Sequence, residues 1–274
     1  MDSWKQTARN ISISNGVLEA ELKAINGNWI KNKIKYNEGD HFHNLDGYLT
    51  KLWIPPNIFQ THKSQEYISG NEDLKKAQES WKKYKSFNYK FYSDKEQDEF
   101  MKTHFADIYD AYSKLIIPVM KADLWRYCVV YHYGGIYADS DTLCISDPIK
   151  LLSNYFLNIV PENKEHFCQW VFSASRGSPI IKRIIDISVR KIRKLKEFKG
   201  EHLIHSLTGP GVFTEGILEW MYDSHYPIIE NKTKFKTNMK INFFNTDFHN
   251  KDVKHLFSGQ WEQGWCKQRE KLLL

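Results

Sequence analysis

A segment near the middle of the chain leads from a helix through a strand to two aspartates. Residues 119–133 predict a helix, because apolar residues recur at helical spacing, and the glycine pair at 134–135 is the residue type that ends helices. Residues 136–138 predict a short strand that runs directly into Asp139 and Asp141. Side chains two residues apart on an extended chain point to one side. The two carboxylates can therefore face one cation and its phosphate ligands, as a metal-diphosphate site requires.

Strands and helices alternate along most of the chain. The apolar periodicity predicts helices at 71–85, 105–115 and 179–196, and strands at 87–93 and 167–173. The helix from 179 is strongly basic, but its isoleucines form one apolar stripe, which indicates a helix packed on a core with a solvated basic face. This alternation predicts an α/β domain with a largely parallel sheet.

The first fifty residues follow a different pattern. Short alternating segments at 11–14, 17–22 and 33–36 are separated by Asn-Gly and Asp-Gly dipeptides, which favour tight hairpin turns. We therefore expect a small all-β appendage at residues 1–50, with the main domain at 51–274 and the boundary near residues 48–52.

Composition excludes several classes of protein. The chain is 41% hydrophobic and 26% charged, so it has enough apolar residues to bury a core. Lys and Arg number 39 against 33 Asp and Glu, and this net charge of +6 suits an anionic ligand without requiring nucleic acid. Aromatic residues make up 15%, which is compatible with stacking on bases or sugars and equally with an aromatic core.

Cysteine usage and the absence of targeting patterns indicate in which cellular compartment the protein acts. The 4 cysteines form no CxxC pair, which argues against a zinc site and a disulfide scaffold. The first residues lack the apolar core of a signal peptide, and no apolar stretch reaches the length of a membrane span. These patterns predict a cytoplasmic protein without an integral membrane segment.

The central segment also resembles a known family. ADLWRY and YGGIYADSD resemble the DxD sugar-binding signature of the family 32 glycosyltransferases, which include yeast mannosyltransferases and are related to the clostridial glucosylating toxins. Four further matches follow the family's order: WIPPNIFQTHK at 53–63, SASRGSP at 173–179, the Thr-Gly-Pro at 208–210, and HLFSGQW at 255–261. The resemblance spans about residues 52–265. It implies a GT-A type nucleotide-sugar-binding fold, in which helices flank a Rossmann-like mixed sheet.

The resemblance further implies a metal-dependent, retaining transfer of a hexose or N-acetylhexosamine. The donor would be a UDP- or GDP-linked sugar, and the acceptor a glycan or a protein. Asp139, Asp141 and His255 would hold the metal, with Ser258 as the rival to His255. Oxygen ligands suit Mn²⁺ or Mg²⁺, and a histidine ligand favours Mn²⁺.

Roles for individual residues follow from the same resemblance. The catalytic residues would be Asp123, Arg126, Asp139, Asp141 and Trp261. The donor-binding residues would be Phe59, Gln60, Asp123, Arg126, Tyr137, Asp139, Ser258 and Trp261.

Simpler roles stay open for several of these residues. Asp123 and Arg126 are spaced to form an ordinary salt bridge on a helix, and Phe59 or Tyr137 can be core residues. Two other functions also stay open: a carbohydrate-binding module on an inactive transferase fold, and a phosphatase or nucleotidyl enzyme. The latter predicts a second acidic cluster, which the sequence does not suggest.

Residues 3–50 resemble one half-repeat of the cyanovirin-N homology fold, a mannose-binding lectin built from two halves. Ala8 and Leu22 stand where that family has cysteines, which agrees with a reducing compartment. We expect this half to help hold a glycan acceptor or to form a homodimer. Without a signal or an anchor, a bacterial or large-DNA-virus origin is expected, with action in the cytoplasm, in a host cytoplasm or in a virion.

Overall fold

The computed structural model describes residues 3–24, 26–37, 42–45, 47–51, 54–152, 155–163, 165–223 and 241–257. Ser258 and Trp261 lie outside the described residues, so their roles stay predictions.

The N-terminal part is an antiparallel β structure, as the turn pattern predicted. It consists of β1 (Ala8–Ser14), β2 (Val17–Lys23), β3 (Trp29–Lys35), β4 (Phe42–Leu45) and β5 (Tyr48–Lys51). β2 pairs with β1 and β3, and β4 pairs with β5. A separate apolar cluster lies beneath these strands: Trp4, Leu18, Ala20, Leu22, Phe42 and Leu49. The likeness to a cyanovirin-N half stays a prediction.

The main part alternates helices and strands. The helices are α1 (Gln65–Ser69), α2 (Glu72–Lys82), α3 (Asp94–His104), α4 (Tyr109–Lys114), α5 (Pro118–Tyr133), α6 (Pro179–Lys194), α7 (Leu203–Leu207), α8 (Pro210–Asp223) and the distorted turn α9 (Phe248–Lys251). The strands are β6 (Asn57–Thr61), β7 (Asn88–Tyr92), β8 (Gly135–Ala138), β9 (Thr142–Cys144), β10 (Leu157–Ile159), β11 (Val171–Ala174), β12 (Ile241–Phe243) and β13 (Val253–His255).

Six of these strands form one mixed sheet in the order β12-β10-β11-β8-β6-β7. β6 runs parallel to β7 and β8, and β10 runs parallel to β12, whereas β11 is antiparallel to both β8 and β10. The sheet is therefore less parallel than the alternation predicted. The described residues between β10 and β11 form no helix, and without such a crossover the two neighbours run antiparallel. The mixed sheet flanked by helices confirms the predicted fold class.

Helix α5 carries Asp123 and Arg126 and leads directly into β8, the strand before Asp139. Pro118 occupies its first turn, where a missing N–H costs nothing, and the helix is buried nearly all round instead of presenting a polar face to solvent. It ends at Gly134, whose φ of +69° lies in the left-handed region. Gly135 then opens β8, where an added Cβ would lie 2.7 Å from the carbonyl oxygen of Asn57. The glycine pair thus lets the chain turn tightly from α5 into the middle of the sheet.

Gly134→Ala should destabilise the fold more than Gly177→Ala. Both glycines have a φ of +69°, but a Cβ at Gly134 would lie 2.6 Å from the backbone nitrogen of Arg176, whereas nothing lies within 4 Å at Gly177. Gly177→Ala should therefore lower the free energy of unfolding by about 1 kcal/mol through its backbone conformation alone. Gly134→Ala should lower it by a further ~1–3 kcal/mol through overpacking. Urea unfolding checks this, and equal losses in the two variants would contradict it.

No helix among the described residues combines the length and apolarity needed to cross a membrane.

Candidate active site

The backbone of Asp139 is fixed where β8 ends, between β6 and β11. Its N–H donates to the carbonyl of Trp170 at 2.8 Å. Its carbonyl accepts from Gln60 Nε2 at 3.0 Å and from the hydroxyl of Thr142 at 2.6 Å. These three hydrogen bonds therefore set the direction in which the Asp139 side chain leaves the sheet.

Two groups, the Tyr137 hydroxyl and the Arg126 guanidinium, orient the carboxylate of Asp139. The hydroxyl of Tyr137 donates to Oδ1 at 2.5 Å, and Nη1 of Arg126 lies 3.3 Å from the same oxygen. The guanidinium also packs over the Tyr137 ring at 4.6 Å. Burial raises the pKa of Asp139, but Arg126 and His255 outweigh it and hold the pKa below its ordinary value. Asp139 is therefore an ionised, oriented carboxylate at neutral pH.

Asp123 and Arg126 form a buried ion pair on α5. Nη2 of Arg126 lies 2.8 Å from Asp123 Oδ1, and the two residues are only 2% and 5% exposed. Thr208 and Gln169 donate to the two Asp123 oxygens at 3.1 and 3.3 Å. Burial raises the pKa of Asp123 to about 7 against the lowering effect of Arg126. The salt bridge left open by the sequence is thus present, and contact of either residue with a sugar stays a prediction.

His255 is brought to the two aspartates by a second, small sheet. β13 pairs antiparallel with β9, and His255 lies opposite Thr142, directly after the DxD turn. Its Nε2 lies 3.4 Å from Asp141 Oδ1 and 3.8 Å from Asp139 Oδ2. One ligand atom from each of these three residues falls within 4.8 Å of the others. Two carboxylates and an imidazole at this spacing match the donor set of a divalent cation such as Mn²⁺.

The tautomer of His255 bears on how it would bind metal. The backbone N–H of Phe257 donates to Nδ1 at 3.1 Å, so the proton of the neutral ring lies on Nε2, toward the carboxylates. Burial lowers the pKa of His255, but Asp139 and Asp141 outweigh it and hold the pKa above its ordinary value. Ligation through Nε2 must therefore displace a proton.

Mn²⁺ affinity should accordingly rise with pH. Below the raised pKa of His255, metal binding competes with a proton, so the apparent Kd should fall by about tenfold per pH unit and then level off. Calorimetric titration with Mn²⁺ between about pH 6 and pH 8 checks this. His255→Gln should bind more weakly and with little pH dependence. A Kd for the unaltered protein that does not change over this range would contradict the competition.

The remaining predicted residues lie in and around this end of the sheet. Phe59 is fully buried, and its ring packs on Tyr133 at 5.9 Å and Tyr92 at 6.4 Å, so it is a core residue here. Gln60 and Tyr137 are also buried and contact Asp139 as described. Contact of these three with a donor stays a prediction.

Two polar partners of Asp123 were not assigned a role from the sequence. Thr208 belongs to the Thr-Gly-Pro segment that resembles the family, but the resemblance assigned it no function. Gln169 carries no local signal, because its contact joins residues 46 positions apart.

Comparison with known proteins decides the class. Residues 57–163 match the family described as the glycosyltransferase sugar-binding region containing a DXD motif. This chain is a glycosyltransferase. Within the matched region, the DXD aspartates of this glycosyltransferase are Asp139 and Asp141. The enzyme class predicted from the sequence is thereby confirmed, and the predicted likeness to the DXD family is found over residues 57–163.

Curated relatives of the glycosyltransferase are fungal. It is 26% identical over 287 positions to the initiation-specific alpha-1,6-mannosyltransferase of Candida albicans, an alignment that covers 79% of this chain and 74% of that protein. It is 26% identical over 217 positions to the protein of the same name from Schizosaccharomyces pombe, covering 67% of this chain and about half, 53%, of that protein. Among solved structures, the PaToxG glycosyltransferase aligns with a TM-score of 0.49 and 18% identity, over 62% of this chain and 70% of that one.

Proposed function

We propose that the protein is a metal-dependent, retaining glycosyltransferase that moves a hexosyl residue from a nucleoside diphosphate sugar to a glycan or protein acceptor. The observation that carries this proposal is the meeting of Asp139, Asp141 and His255 at the end of β8. We favour GDP-mannose as the donor over UDP-sugars, because both fungal relatives are named as mannosyltransferases. Retention rests on the family resemblance alone.

Asp139, Asp141 and His255 would hold the cation. The imidazole favours Mn²⁺ over Mg²⁺, because Mg²⁺ prefers an all-oxygen shell. When bound, such a cation supplies Lewis-acid stabilisation of the charge that develops on the departing diphosphate.

The buried ion pair would serve both the carboxylate and the donor. Arg126 keeps Asp139 ionised, and Asp123 with its hydrogen-bond partners fixes the guanidinium in place. Nε of Arg126 is buried without a hydrogen-bond partner among the described residues. A buried N–H of this kind is costly unless something satisfies it, and a sugar hydroxyl or a phosphate oxygen of the donor would do so. We therefore retain Asp123 and Arg126 as donor-binding residues in this proposal.

The N-terminal strands would form a separate appendage at residues 1–50. Their own apolar cluster supports this division, and the family match begins only at residue 57. We keep acceptor binding or pairing with a second copy as the proposed role. Deleting residues 1–50 should weaken acceptor binding or abolish a dimer seen by sedimentation, and a deletion that changes neither acceptor affinity nor oligomeric state would rule out both roles.

A donor panel tests the proposed reaction. The protein is incubated with Mn²⁺ and, separately, with GDP-mannose, UDP-glucose, UDP-galactose or UDP-GlcNAc, and released nucleoside diphosphate is measured. Release from GDP-mannose above all others is expected. Release from a UDP-sugar instead would overturn the choice of donor. Binding of a nucleotide sugar without any release would favour the inactive, carbohydrate-binding alternative.

A further inference from the structure

The site joins two parts of the chain that meet through few backbone contacts. Asp139 and Asp141 follow β8 in the main sheet, whereas His255 ends β13, which pairs with β9 through only three residue pairs. Such a short ladder places the backbone of His255 but does not set the direction of its imidazole, which depends on the Phe257 N–H at Nδ1 and on side-chain packing.

Trp170 contacts both parts. It directly precedes β11, whose first residue, Val171, lies opposite Ala138 of β8. Its carbonyl accepts the N–H of Asp139 at 2.8 Å. On the other side, its indole lies 4.9 Å from the His255 ring and 4.8 Å from the His249 ring, measured between centroids. One residue anchored in the main sheet therefore supports the segment that carries the histidine.

We propose that Trp170 is a positioning residue of the metal site, whose indole holds the His255 imidazole toward Asp139 and Asp141. The inference rests on the proposed metal-dependent function, and it assigns Trp170 no contact with metal or substrate. Groups that orient a ligand typically change metal affinity by about 10–100-fold when removed. The backbone bond from Asp139 to the Trp170 carbonyl survives any substitution, so a Trp170 variant isolates the contribution of the ring.

Trp220 provides a matched control within the same chain. It is 8% exposed against 9% for Trp170, but it lies in α8, where its ring packs near Arg183 at 5.6 Å. Trp170→Leu should weaken Mn²⁺ binding by about tenfold or more, and Trp170→Phe, which keeps a ring, by less than about threefold. Trp220→Leu should leave Mn²⁺ affinity unchanged, although both Leu variants lose stability in urea through lost burial.

A metal-free measurement keeps the inference testable if Trp170→Leu folds poorly. In the NMR spectrum of the protein without metal, the ring protons of His255 should shift when Trp170 becomes Phe or Leu, and should not shift in Trp220→Leu. Wild-type Mn²⁺ affinity in a folded Trp170→Leu, or unmoved His255 resonances in both Trp170 variants, would overturn the role of Trp170. If the unaltered protein binds no Mn²⁺, the proposed metal site itself is wrong. The His255 resonances of the metal-free variants then still show whether the Trp170 ring packs on His255.

Discussion

Asp141→Asn should abolish high-affinity Mn²⁺ binding and lower nucleoside diphosphate release by at least ~100-fold. The substitution keeps the shape of the side chain but removes one of the two carboxylates that face His255 Nε2 at 3.4 and 3.8 Å. With a neutral amide there, the cluster has one carboxylate left to compensate a divalent charge. Loss of a group that stabilises developing charge typically costs about 10²–10³ in kcat. Calorimetry measures the metal affinity, and a coupled assay measures the release.

Asp147→Asn is the matched control for this substitution. Asp147 is an exposed aspartate that follows β9, and its Oδ1 accepts the N–H of Ile149, as the Oδ1 of asparagine also can. Its variant should bind Mn²⁺ and turn over as the unaltered protein does. Wild-type Mn²⁺ affinity in Asp141→Asn would remove Asp141 from the metal site.

Arg126→Met should lower the free energy of unfolding by about 3–5 kcal/mol above about pH 8, where Asp123 is ionised in the unaltered protein. The guanidinium lies between two carboxylates, 2.8 Å from Asp123 and 3.3 Å from Asp139, so its loss leaves a buried charge uncompensated. Burial already raises the pKa of Asp123 to about 7, and the variant should raise it further. Asp123 then takes up a proton as the pH falls, so the destabilisation should shrink toward pH 5. Urea unfolding at several pH values measures this.

Two comparisons separate this effect from lost packing. Asp123→Asn combined with Arg126→Met removes the uncompensated carboxylate and should recover much of the stability above about pH 8. Arg193→Met breaks an exposed pair with Asp110 and should cost much less, because solvent screens exposed charges. If Arg126→Met costs no more than Arg193→Met, the buried pair does not stabilise the fold as described.

The local parts of the fold could be predicted from the sequence because each has a strong pattern of apolar residues or of turn residues. Helix α5, the glycine pair and the DxD turn follow from periodicity and backbone freedom, and the hairpin turns gave β1 to β3. Helix α3 was missed, since its eleven residues are mostly polar and bury only Gln97, Phe100 and Met101. Strands β10 and β12 have three residues each, too few to show a period.

The site could be predicted only in part, because several of its contacts join residues that are far apart in sequence. Asp139 and Asp141 are neighbours in sequence, but His255 meets them only through the pairing of β13 with β9, and the family resemblance suggested it. Trp170, Gln169 and Thr208 act through contacts that join distant parts of the chain. Such contacts leave no periodic trace, so the residues that orient the acidic groups emerge only from the folded structure.

The most direct test of the central claim is nucleoside diphosphate release from GDP-mannose before and after removal of metal. The unaltered protein should release GDP with Mn²⁺, stop when EDTA is added in excess, and resume when Mn²⁺ is restored. Asp141→Asn should show no such recovery. Release that continues at the same rate in EDTA, or equally in Asp141→Asn, would contradict a metal-dependent transfer at Asp139, Asp141 and His255.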